Sequence, residues 1–147
     1  MLTISDKSAI RLHPLERQVL EKLFIKTDTE LSLQDLNALE MQLKAAIILS
    51  REMTGHGFYT KFLTAENVLH LSGKQSLWLG AVSADVPGLN RGAGFQLHIK
   101  EGAVSQLEGF SFDGHWPDPW PGKYDESETY NVSDIPTSRT LEMHRAR

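Results

Sequence analysis

A chain of 147 residues, 40% of them hydrophobic and 23% charged, has the length and composition of one globular domain. Its formal net charge of -4 excludes the broad basic face that non-specific nucleic-acid binding needs, and it suits a basic protein partner. The chain has no cysteine, so disulfides, zinc–thiolate sites and thiol catalysis are excluded.

The opening stretch MLTISDKSAIRLHPLERQ holds no uninterrupted apolar run. No segment of the chain approaches the roughly 18 apolar residues of a membrane span. Neither a signal peptide nor a membrane partner is expected, and with the lack of cysteine this points to the cytoplasm. The first periodic segment is HPLERQVLEKLFI, where Leu15, Val19, Leu20, Leu23 and Phe24 fall on one side of a 3.6-residue repeat. Pro14 suits a first helical position, where its missing N–H costs nothing, so a helix is predicted from about Pro14 to Lys26. A second helix starts after Ser32, with Asp35 three residues on as in a capping box and Leu31 and Leu36 placed as a staple. Its apolar stripe is Leu36, Leu39, Leu43 and Ile47.

From Ala46 the period changes toward two. In AAIILSREM, Ile47, Leu49, Arg51 and Met53 share one face of a predicted strand. In GFYTKFLT, Phe58, Thr60 and Phe62 alternate with Tyr59, Lys61 and Leu63. SLWLGAVSADVPG is apolar on both faces up to Val82, the mark of a central strand covered on both sides. Phe95, Leu97 and Ile99 alternate with Gln96, His98 and Lys100, and Glu101-Gly102 turns this strand into a return strand. On the return, Leu107, Phe110 and Phe112 do not share a parity, and a bulge at Glu108-Gly109 would restore the phase. Four of the six prolines follow Gly114, so residues 115–147 read as an irregular extension partly docked on a domain of residues 1–114. The expected whole is α+β: two helices packed on a mainly antiparallel sheet of about five strands.

The residues that carry chemistry are sparse. GHGF at Gly55 and GAGF at Gly92 lack the third glycine and the following helix of a dinucleotide fingerprint, and read as turns that open strands. The histidines have no metal-ligand spacing, although strand pairing could bring His56, His98 and His115 together. Surface histidines are the commoner outcome, and no metal or cofactor is expected. Glu52, Asp85, Glu108 and Asp113 are the carboxylates on or beside strands; Glu108 stands out because a bulge re-aims a side chain. No nucleophile elbow is present. In WPDPWPG, Trp116 and Trp120 are either interface anchors or a strap over the domain's own core, and the strap is the commoner use of such tryptophans.

SREMTGHGF, LGAVSADVPGLNRGAGFQLHIKEGAVSQLEGFSFDG and the nearby HWP resemble a small family of uncharacterised bacterial proteins. Its members are similar to the short acidic proteins carried beside secreted toxins or in variable gene cassettes. The resemblance spans about residues 50–117 and carries over no catalytic residue. It implies a non-catalytic protein-binding module of the immunity-inhibitor type. The alternative from the residues is a small-molecule-binding protein or enzyme, its pocket between helices and sheet near His56, His98, Glu108 and Trp116. The candidate binding residues are His56, Tyr59, His98, Glu108, His115, Trp116 and Trp120, and a homodimer through a sheet edge is a third reading.

Overall fold

The computed structural model describes residues 10–25, 31–71, 73, 75–118, 120 and 128–135. The rest of the C-terminal extension, His144 included, lies outside them. The described elements are α1 (Pro14–Phe24), α2 (Leu33–Ala45), β1 (Ile47–Met53), β2 (Gly57–Leu63), β3 (Leu77–Ala84), β4 (Ala93–Lys100), β5 (Ala103–Ser111) and β6 (Val132–Asp134). The strands form one antiparallel sheet in the order β1-β2-β5-β4-β3-β6. The protein is therefore α+β, with two helices on one six-stranded sheet among the described residues.

Both helices begin where the chain supplies a cap. His13 precedes α1; its Nδ1 accepts from Leu15 N at 3.0 Å while Glu16 accepts from His13 N at 2.8 Å. A histidine thus takes the place that serine or threonine usually holds in a capping box. Ser32 Oγ accepts from Asp35 N at 3.1 Å and caps α2. Helix α2 ends at Ala45, and Ala46 turns extended at ψ 160, so the chain passes straight into β1. Ile47 accordingly opens a strand rather than closing the helical stripe.

One face of the sheet meets the helices. Phe58, Phe62, Leu79, Val82, Phe95, Leu97, Ile99 and Leu107 join Leu15, Leu20, Leu39 and Leu43 in a single core. Burying each such side chain contributes about 1.5–3 kcal/mol. Alternation then puts Tyr59, Gln96, His98, Glu108 and Phe110 on the other face.

Three details depart from the expected pattern. In β1 the register shifts between Ile48 and Ser50, so Leu49 is the extra residue of a bulge. Ile48, Arg51 and Met53 face the helices as a result, not Ile47 and Leu49. In β5 the irregularity lies at Ser105, between the pairs Ile99↔Val104 and His98↔Gln106, and not at Glu108-Gly109. Gly109 keeps the regular register; a Cβ there would meet the Phe58 and Phe95 rings at 2.5 and 2.8 Å, so the glycine makes room for two core aromatics. Leu107 and Phe110 differ in parity because they occupy opposite faces. Finally, β3 is not central: among the described strands only β6 lies beyond it. That strand comes from the expected irregular tail, and its Ser133 pairs with Ser83. Gln18 of α1 fixes its approach, donating to Glu128 O and accepting from Tyr130 N, both at 2.8 Å.

Candidate functional site

The turn Gly55-His56-Gly57 needs both glycines, for different reasons. Gly55 has φ +91, a conformation that L side chains rarely adopt. Gly57 opens β2 so close to β5 that a Cβ would stand 1.9 Å from Gly109 O. This turn receives the chain leaving β5. Ser111 N donates to His56 O and Trp116 N to Gly55 O, both at 2.8 Å. His56 Nδ1 lies 3.2 Å from Gly114 O, and the His56 and His115 rings stack at 5.2 Å with 11° between their planes.

Beyond this junction the two tryptophans turn inward. Trp116 is 4% exposed, edge-on to Phe58 at 5.2 Å and to Phe95 at 6.1 Å. Trp120, half-buried, stacks on Phe58 at 4.5 Å and meets the His13 ring at 5.0 Å. The segment is therefore the intramolecular strap of the two readings weighed for it. A cleft of about 290 Å³ remains between Met53, Gly55, His115, Trp116, Asp118 and Trp120.

Under Trp120 lies a buried polar cluster. The Glu16 side chain is fully buried, and its carboxylate accepts from the Arg51 guanidinium and from Thr60 Oγ1. Arg51 also donates to Arg11 O at 3.0 Å, and its guanidinium carbon lies 5.7 Å from the centre of the Trp120 ring. The cluster ties α1 to β1, β2 and the strap. Sequence reasoning missed it, because Glu16 reads as an ordinary first-turn acid and nothing in the sequence pairs it with Arg51. The advance signals were Glu16 standing three residues after His13 and Arg51 sharing a strand face with Met53.

The expected pocket residues are only partly brought together. His56 and His115 are neighbours, and His115, Trp116 and Trp120 share one cleft. Glu108, 2% exposed, lies across from Tyr59 and Gln96 on the face away from the helices, and Trp116 packs on the helix side. His98 stacks on Trp78 at 4.6 Å, also on that outer face. His56, His98, Glu108 and Trp116 therefore do not converge between helices and sheet. Asp85 is exposed and accepts from Asn131 Nδ2 at 3.1 Å; Glu52 is exposed and sits 3.4 Å from Lys61 Nζ. Among the described residues, no group of three or more His, Asp or Glu is placed to hold a metal ion.

A second concavity was not anticipated. On the outward side of α2, Leu33, Asn37 and Met41 follow at intervals of four, and the β2–β3 connection brings Leu69 beside them. Leu33 is 74%, Met41 60% and Leu69 68% exposed, around a groove of about 660 Å³ edged by Gln34, Asn37 and Asn67. The i, i+4 spacing was visible in the sequence, hidden by the stronger stripe on the buried side.

No protein-family model, curated protein or solved structure matches this chain. Among the described residues, no helix is long and apolar enough to cross a membrane.

Proposed function

We propose that this chain is a non-catalytic protein-binding module of the immunity-inhibitor type, and that the groove beside α2 receives its partner. The observation that carries this reading is the cluster of Leu33, Met41 and Leu69, all more than half exposed around one concavity. Large apolar side chains gathered in this way mark interaction sites more often than idle surface. The amide rim supplies hydrogen bonds that orient a partner without the desolvation cost of charge. The net charge of -4 favours a basic partner, drawn in by long-range attraction that salt screens. The test is affinity capture from host extract with the full chain and with Met41→Glu. Recovery of one basic protein by the parent chain, weakened by salt and lost in the variant, is the expected result. If no specific protein is recovered, or the variant captures it equally well, the reading fails.

A small ligand in the 290 Å³ cleft is the second reading, supported by the approach of His115, Trp116, Asp118 and Trp120 to one space. Its test is tryptophan fluorescence against a panel of cationic aromatic fragments. A saturable change that Asp118→Asn weakens favours it, and an unresponsive spectrum removes it.

A further inference from the structure

We infer that His56 and His115 form a two-histidine site for a borderline divalent cation such as Zn²⁺, Ni²⁺ or Cu²⁺. The inference is independent of the partner-binding proposal. His56 Nδ1 lies 3.2 Å from Gly114 O. A carbonyl oxygen only accepts, so Nδ1 carries the proton of this bond, and in the neutral ring Nε2 keeps its lone pair. Metal-binding histidines are commonly prepared in this way, by an N–H held on a backbone carbonyl that fixes the tautomer and raises the basicity of the free nitrogen. The ring of His115 lies alongside, 5.2 Å between centroids, and both residues are exposed.

The backbone under the pair is well held. His56 sits between Gly55 and Gly57, whose carbonyls accept from Trp116 N at 2.8 Å and Thr54 N at 2.9 Å, and its own carbonyl accepts from Ser111 N. His115 is flanked by Gly114 and the buried Trp116. The two Cα positions are thus fixed, and the His115 side chain is exposed. In the stacked arrangement the two rings are nearly parallel, so a shared ion requires one ring to rotate. His115 is exposed and borders the cleft, and imidazole nitrogens bind these ions at about 2.0–2.1 Å. Among the described residues no third His, Asp or Glu is placed to join them, so water completes the shell. Imidazole ligands favour copper, nickel and zinc over the hard ions magnesium and calcium. A bound ion would cross-link the β1–β2 turn to the strap, beside the 290 Å³ cleft that His115 lines.

The test is calorimetric titration of the full chain, free of any affinity tag, with ZnCl₂, NiCl₂ and CuCl₂, and with MgCl₂ as the hard-ion control. One ion per chain is expected, copper held most tightly, with magnesium silent. His56→Ala and His115→Ala should each weaken binding by about tenfold or more, whereas His98→Ala leaves it unchanged. Ring-proton spectra of the unmodified chain, in which Ni²⁺ should broaden His56 and His115 first, give the same answer without a variant. If none of the three metals binds at millimolar concentration, or the two alanine variants bind as the parent does, or other histidines broaden first, the inference is overturned.

Discussion

Glu16 is fully buried and divides its carboxylate among the Arg51 guanidinium, the Thr60 hydroxyl and the His13 amide. A charge taken from water at such a site is tolerable only with this many partners, because the desolvation cost is several kcal/mol per ion. The net worth of the pair is therefore small, and the cost of breaking it is large. Arg51→Ala leaves the carboxylate inside with two neutral donors, and should lower stability by about 3–5 kcal/mol in urea unfolding. The double variant Glu16→Met with Arg51→Met should recover part of this loss. It cannot recover all, because Thr60 and the His13 amide would then lack their acceptor, at about 1–3 kcal/mol for a buried group left unpaired. If Arg51→Ala unfolds at the parent's urea midpoint, the cluster is not the tie described here. Trp120 gives a second readout. Its ring rests beside Arg51, so its emission should shift to the red as the strap loosens.

Among the elements, α2 is held to the sheet by apolar contact and by one side chain. Gln42, fully buried, donates to Leu69 O at 2.8 Å and Gly102 O at 3.0 Å and accepts from Val104 N at 2.8 Å. It joins the helix to the β2–β3 connection and the β4–β5 turn. Gln42→Leu leaves the buried Val104 N without its acceptor, while Gly102 O keeps its bond from Leu71 N at 2.9 Å, so a loss of about 1–3 kcal/mol is expected. Amide exchange should show the effect concentrated at Leu71, Gly102 and Val104; a uniform loss of protection would contradict it. What could be read in advance divides at this same scale. Both helices, the β2 and β4 alternations and the β4–β5 turn were legible, because period and capping chemistry are written in consecutive residues. The phases of β1 and β5 were not. Each holds one unpaired residue, Leu49 or Ser105, that carries no composition mark and flips the faces beyond it. Strand β6 is three residues whose pairing depends on β3, far away in sequence. At the site, aromatic density announced Trp116 and Trp120, and the two glycines framed His56. The burial of Glu16, Arg51 and Gln42 was not legible, since all three belong to types that normally stay in water.

Among the described residues the sheet ends at two edges, β1 and β6, and they differ in risk. Strand β6 is too short to template a neighbour, with three paired residues. Strand β1 is seven residues long and carries Leu49 at 53% and Met53 at 45% exposure on the sheet's other margin. A straight apolar edge of that length would pair with a second copy. The bulge at Leu49 works against this: it breaks the ladder near the middle of the strand and adds local twist, so a copy of β1 would meet only short lengths in register. The chain is accordingly expected to run as a monomer in light scattering at micromolar concentration. Deleting Leu49 makes Ile48 and Ser50 consecutive, in line with Phe62 and Lys61, and so restores an unbroken edge. That variant should keep the sheet and begin to self-associate as concentration rises. A parent chain that already dimerises through β1 would show the bulge to be no barrier. The edge would then compete with the groove beside α2 as the surface where this protein meets others.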